Sequence, residues 1–159
     1  MSVTIRPMQD ADAESVASMV HGLAEHIGTA FAPKLTGQKL IAARDLIEVM
    51  VAEADNTLIG ACLGLMTFST WRGEKGLYVV DLFVTPEARG RNVGERLLRA
   101  SAERAAKRGA RFIKLEVDET NTGAGRFYER LGFIKKTEDR LHILEQDRMS
   151  DFISMGGRQ

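Results

Sequence analysis

The chain has one cysteine, one tryptophan, three prolines and no net charge across 159 residues. A lone cysteine excludes a disulfide framework. Cys62 lies in the apolar run 58–66, where an inert buried thiol is the ordinary role. His21, His26 and His142 offer no metal-ligand spacing, because the first two lie five positions apart on different sides of a helix. No metal site is expected. No apolar stretch reaches membrane-spanning length, and the N-terminus lacks the apolar core of a signal peptide, so no membrane partner is expected and the cytoplasm is the expected compartment. A balanced charge leaves no global field steering the protein toward nucleic acid.

At this length one domain spanning residues 1–159 is the default, with 44% apolar and 28% charged residues as in ordinary globular proteins. The charge is unevenly placed. Residues 89–111 carry eight Arg or Lys against Glu95 and Glu103, and five acids lie in 138–151. A local positive patch suits a small polyanionic ligand. Arg96, Arg99, Arg104 and Arg108 read more simply as the solvated face of a helix.

The most informative segment is Val84-Thr85-Pro86-Glu87-Ala88-Arg89-Gly90-Arg91-Asn92-Val93-Gly94. It follows an apolar run, 77–84, in which Asp81 is the only polar residue, and it opens a helical pattern over 93–107. A buried strand, a Pro/Gly-punctuated loop and a helix start make a natural anion site, since loop amides and the helix dipole converge there. Gly90, Asn92 and Gly94 tolerate positive φ or close ligand approach, and Arg89 and Arg91 add formal charge. No Gly-x-x-x-x-Gly-Lys-Ser/Thr string occurs, which excludes a P-loop. Gly90-x-Asn92-x-Gly94 also has the wrong spacing for a dinucleotide fingerprint. A plain turn rich in small residues remains the bland alternative.

Along the chain, 3–6 reads as a strand ended by Pro7, and Asp10 as an N-cap for a helix with Val16, Val20, Leu23 and Ile27 on one stripe. The stretch 28–33 breaks that helix, and Thr36 caps a second one carrying Leu40, Ile41, Ala43 and Ile47. Strands are expected at 49–54, 58–69 and 77–84, with turns at Asp55-Asn56 and 71–74. A helix over 92–108 stops at Gly109, and 111–119 alternates as a strand with Ile113, Leu115 and Val117 on its dry face. A short helix from Asn121 or Thr122 runs through Leu131 and stops at Gly132. Strands at 133–136 and 140–144 and a helix at 147–155 complete the pattern. The order predicts an α/β (α+β) fold with helices on both faces of a mixed sheet.

With the loop and the segment Asn121-Thr122-Gly123-Ala124-Gly125-Arg126-Phe127-Tyr128-Glu129-Arg130-Leu131-Gly132-Phe133 together in view, the chain resembles the GNAT superfamily of acyl-CoA-dependent N-acetyltransferases. The similarity in element order covers residues 3–144. It implies a GNAT-like mixed, mostly antiparallel sheet of about six or seven strands with about four helices. It also implies acetyl-CoA as co-substrate and no metal. The family loop reads Gln/Arg-x-x-Gly-x-Gly/Ala, matched here by Arg89, Asn92 and Gly94, with Asn92 in place of the usual glycine. The cofactor set implied by resemblance is Leu82, Phe83 and Val84 along the thioester path, then Arg89, Gly90, Arg91, Asn92, Val93, Gly94 and Glu95 around the pyrophosphate. Asn121, Ala124 and Tyr128 cover the cofactor's other side. Strand 77–84 is expected to splay from 111–119, leaving a wedge for the pantetheine arm.

Tyr128 matches the family's general-acid position, and the departing thiolate, of parent pKa roughly 8.5, needs a hydroxyl donor. Phe127, Leu131 and Phe133 equally fit an aromatic helix stop in which Tyr128 merely packs. For the base, Asp81 stands out as a charge inside an apolar strand, which needs a partner or a function. A hydrogen-bonded structural acid is its alternative role. Glu116 on the neighbouring strand could act through a water.

The stretch 71–84 is similar to the diamine (spermidine/spermine and thialysine) acetyltransferase branch, whose strand reads Leu-Tyr-x-Glu-Asp-x-Phe-Val. Asp81 matches its second acid, whereas Val80 replaces the first. The end of the first helix offers Glu25, His26 and Ile27. Candidate substrate residues are therefore Glu25, His26, Asp81 and Glu116, for a small-molecule amine; a protein N-terminus or lysine is the alternative acceptor. The branch implies a homodimer. Two rivals stay open: a catalytically weak CoA-binding sensor or scaffold, and a nucleic-acid patch at 89–111. Zero net charge and the lack of interleaved aromatics oppose the second.

Overall fold

The computed structural model of the chain describes residues 2–28 and 31–155. It comprises two compact units, Met1–Asp118 and Glu119–Gln159.

The first unit holds β1 (Thr4–Pro7), α1 (Ala13–Ile27), α2 (Gly37–Ala42), β2 (Glu48–Ala54), β3 (Thr57–Ser69), β4 (Glu74–Val84), α3 (Val93–Lys107) and β5 (Ala110–Lys114). The sheet order is β1-β2-β3-β4-β5. Pairings from β1 to β4 are antiparallel, and β5 lies parallel to β4 after the α3 crossover. Asp55 and Asn56 take φ of 51° and 59°, the left-handed pair that a two-residue hairpin with matching twist requires.

Alternation along β3 builds two dry layers. Ala61 and Leu63 pack with Val16 and Met19 of α1, Leu40 of α2, and Val49 and Val51 of β2. The intervening positions turn to α3. A Cβ on Gly60 would stand 2.9 Å from Leu97 Cδ1, so glycine there lets the helix approach the sheet. The buried stripe of α3, Val93, Leu97, Ser101 and Ala105, is the one its spacing predicts.

Thr36 caps α2 as expected, its side chain accepting from Lys39 N at 3.2 Å. Asp10 does not cap α1. It opens a 3-10 turn, Asp10–Asp12, and the N-cap residue is Asp12. Arg6 explains the shift, because it draws Asp12 inward at 2.7 Å and holds Glu53 of β2 at 2.7 Å. The α1 stripe also fades toward its end: Val16 is buried, while Ile27 is 48% exposed. The helix ends at Gly28, φ 76°, whose N–H donates to Ala24 and Glu25 carbonyls. Of the expected 28–33 break, residues 29 and 30 lie outside the described residues.

The second unit contains α4 (Thr122–Arg130) and α5 (Gln146–Met155). The Asn121 side chain caps α4 by accepting from Ala124 N at 3.1 Å. Gly132, φ 98°, ends the following turn.

Two sequence expectations need correction. The sheet has five strands among the described residues rather than six or seven. Residues 133–136 and 140–144 make no ladder, and Ile134, Leu141 and Ile143 are exposed. Alternation without a neighbouring strand to accept main-chain bonds does not make a strand. Likewise β5 ends at Lys114 instead of continuing to 119, because its partner β4 changes course beyond Tyr78.

Candidate active site

The change of course is a β-bulge. Leu63 pairs with Asp81 and Gly64 with Val79, so Val80 is the extra residue in β4. On the other side, β4 and β5 are registered only from Lys75↔Ala110 to Tyr78↔Lys114. Among the described residues, Val79 to Val84 have no strand partner on the β5 side. The expected splay is therefore present, and it begins at the bulge.

Beyond the splay the chain turns through Pro86–Ala88 into the α3 loop. Gly90 takes φ +76°, with nothing within 4 Å of where a Cβ would stand, and Asn92 takes φ 59°. Asn92 occupies the N-cap position without capping through its side chain. The first intrahelical bond runs from Arg96 N to Asn92 O at 3.0 Å. Among the described residues the N–H groups of Val93, Gly94 and Glu95 thus have no internal acceptor, and the helix dipole adds partial positive charge there. Arg89 folds back so that Nε donates to Val84 O at 3.3 Å. The outer arginines are structural: Arg99 pairs with Glu95 at 2.7 Å, Arg96 donates to Val3 O at 2.9 Å, and Arg104 and Arg108 reach Glu48.

Asp81 is half-buried and makes no hydrogen bond or ion pair among the described residues; desolvation alone raises its pKa above the ordinary carboxylate value. Cross-strand pairing with Leu63 puts Asp81 on the α1 face of the sheet, together with Phe83 opposite Ala61. The helix passes over this face, where Gly22 lies close to the Phe83 ring.

Glu116 is exposed in the segment after β5. It influences Tyr78, a residue that sequence reasoning passed over as part of an apolar strand. Burial first, then Glu116 and more weakly Asp81, raise the Tyr78 pKa. Only the bulge reveals this neighbourhood, and a bulge leaves no local sequence signature. Glu25 and His26 lie exposed in the last turn of α1 and make no side-chain hydrogen bond or ion pair among the described residues.

On the α3 face, burial pushes the Cys62 thiol up to about 11, and the neighbouring Ser101 hydroxyl offsets this only in part. Ser101 Oγ itself is buried without a partner of full hydrogen-bond geometry. Cys62 is an inert core thiol, as its apolar setting predicts.

In the second unit, Asn121 is tied to Ala124 by the cap described above. Tyr128 sits in an aromatic cluster, edge-on to Phe127 at 5.0 Å and to Phe133 at 5.4 Å between ring centroids. Phe133 N donates to Tyr128 O at 3.0 Å. The packing role read from Phe127 and Phe133 is real. It occupies the ring and leaves the hydroxyl's role a separate matter.

Among the described residues no helix is long and apolar enough to cross a membrane, and no cluster of three or more His, Cys, Asp or Glu is arranged to hold a metal ion.

Residues 23–133 match the acetyltransferase (GNAT) family. A thialysine N-epsilon-acetyltransferase from Sus scrofa is 28% identical over 149 residues, covering 86% of this chain and 87% of that protein. An uncharacterized N-acetyltransferase from Archaeoglobus fulgidus is 38% identical over 92 residues, covering 57% of this chain and 62% of its own. Among solved structures, an integron cassette protein from the mobile metagenome of V. cholerae superposes with a TM-score of 0.78 at 20% identity, covering 96% of this chain and 98% of that one. That last likeness concerns the fold alone.

Proposed function

The chain belongs to the acetyltransferase (GNAT) family and is an acyl-CoA-dependent N-acetyltransferase, and from that premise we propose that it moves the acetyl group of acetyl-CoA to the primary amine of a small molecule. The whole chain, 1–159, is taken to act as one transferase domain, in the cytoplasm and as a homodimer. The observation that carries the reading is the head of α3, where Gly90 and Asn92 turn the chain so that three consecutive amides have no internal acceptor among the described residues. Such a nest fits the diphosphate of coenzyme A.

In this reading Arg89, Gly90, Arg91, Asn92, Val93, Gly94 and Glu95 hold the diphosphate, and Leu82, Phe83 and Val84 present main chain along the open edge of β4. Asn121, Ala124 and Tyr128 complete the set by family resemblance. Acetyl-CoA supplies an activated acyl thioester. Asp81 accepts a proton from the arriving ammonium, so that a neutral amine can form the new C–N bond, and its raised pKa brings it closer to that task. Tyr128 donates its hydroxyl proton to the sulfur as the C–S bond breaks, and the proton left on nitrogen replaces it through solvent. Glu25, His26 and Glu116 contact the amine.

The deciding experiment is a CoA-release assay over monoamines, diamines, polyamines, amino acids, aminoglycosides and short peptides, with calorimetric titration of CoA. Binding of CoA together with acetylated product is expected. Binding without product from any amine would leave only a sensor, and no binding would overturn the nest.

A further inference from the structure

The second unit ends in apolar side chains that stay open to solvent. Leu141, Ile143 and Leu144, followed by Met149, Phe152 and Ile153, are between 50% and 78% exposed. The last three stand at helical spacing on one stripe of α5, a stripe of the kind that normally faces a core. Polar residues take the rest of that helix, where the Ser150 and Ser154 hydroxyls donate back to the Gln146 and Ser150 carbonyls. The main chain just before it is equally idle. Among the described residues, 140–144 make no hydrogen bond to other main chain, and Arg140 O meets only a side chain, His142 Nδ1, at 3.0 Å. Unpaired main chain under alternating side chains is a template for another strand.

We propose that residues 140–144 pair antiparallel with the same segment of a second copy, across a two-fold axis at His142, and that the α5 stripes close into the same interface. This gives the homodimer of the reading above its surface and rests on that part of the reading alone. The segment is self-complementary. An antiparallel pair centred on His142 sets Leu141 opposite the partner's Ile143 and Ile143 opposite the partner's Leu141, so apolar side chains meet twice on one face. Two-fold symmetry asks for such a match of a patch with itself. Asp139 would face the partner's Glu145, and like charges directly opposite limit the ribbon to these five residues. The area suffices. At about 25 cal/mol per Å², burying a side chain of this kind removes about 60–120 Å² of apolar surface. Six of them, exposed to this degree, supply roughly 700 Å² across both copies. Apolar atoms form about 60% of an interface, so the whole comes to about 1,200 Å², the lower bound for a specific pair.

The test combines sedimentation velocity with cysteine cross-linking on the full chain. Wild-type protein is expected to be a dimer at micromolar concentration. Leu141→Asp with Ile143→Asp charges two positions that are exposed in the single chain, so the circular dichroism is expected to stay as in wild type while the dimer Kd rises about a hundredfold. Opposed Cα atoms of an antiparallel pair lie about 4.5–5.5 Å apart, within disulfide reach. Cys62 is buried, so an introduced surface thiol is the one that reacts. Mild oxidation is expected to turn His142→Cys into a covalent dimer and to leave Glu103→Cys, on the outer face of α3, as single chains. Should the double variant lose its fold, the cross-link decides. A dimer that survives the two aspartates, or a His142→Cys protein that cross-links no faster than Glu103→Cys, would overturn this surface and leave the homodimer standing. A monomeric wild type would overturn both, and neither result touches the transferase chemistry.

Discussion

Tyr78 and Asp81 lie on the same face of β4 although three positions separate them. In a regular strand such a pair would point to opposite faces. Val80 absorbs the odd step, and the same bulge ends the pairing with β5. One inserted residue thus opens the sheet, aims an acid at the opening and sets a tyrosine beside it. The predictions below test the parts of this arrangement separately.

Asp81 is desolvated and has no hydrogen-bond or ion-pair partner among the described residues, so the folded protein gains nothing from its charge. Asp81→Asn is expected to melt at or above the wild-type temperature at neutral pH while turnover falls about a hundredfold, the scale of lost general-base assistance. The wild-type rate is expected to fall as pH drops through the raised Asp81 pKa, and that limb should vanish in the variant. Thermal melting and a pH–rate profile check both. A clear loss of stability with full activity would make Asp81 structural.

Tyr128→Phe removes one hydroxyl and keeps the aromatic contacts to Phe127 and Phe133. Turnover is expected to fall by about ten- to a thousandfold with little change in acetyl-CoA affinity. Single-turnover kinetics and calorimetry separate the two quantities, and unchanged turnover would refute the proposed role.

Asn92 carries left-handed backbone, which asparagine tolerates and a β-branched residue does not. Asn92→Gly, the family's usual residue, should retain CoA affinity. Asn92→Val should weaken it about tenfold, equivalent to roughly 1–2 kcal/mol of left-handed strain. Titration calorimetry with CoA distinguishes them.

Far from the site, Arg6 holds the Asp12 carboxyl below the usual carboxylate range, and Gln9 N–H adds a second bond at 2.8 Å. Asp12→Asn should cost about 1–3 kcal/mol at neutral pH, as for hydrogen bonds to charged groups. Because the folded pKa is depressed, the contribution is complete above the unfolded value of about 3.8 and is lost as pH falls through the folded one. Chemical denaturation at several pH values should therefore show the gap between variant and wild type closing in acid.

Local rules made much of this molecule legible. The turn at Asp55-Asn56, the Thr36 cap, the α3 stripe and the Gly109 stop all follow from spacing and backbone chemistry within a few residues. The left-handed backbone at Gly90 and Asn92 was readable for the same reason. What escaped depends on distant partners. Asp12 replaced Asp10 at the head of α1 through an ion pair with Arg6, and the extra residue Val80, which puts Tyr78 and Asp81 on one face, shows only in the pairing of β4 with β3. Residues 133–144 alternate like a strand yet form none, since alternation specifies a face and not a neighbour.

The nest at the head of α3 is made of main-chain amides, and no point substitution other than proline deletes an amide. In the proposed reading, grip on the coenzyme is consequently buffered against sequence drift. The proposed amine contacts, Asp81 and Glu116 among them, would act through side chains, each replaceable by one change. A lineage built this way would keep its donor for as long as the loop folds, while its choice of acceptor wanders.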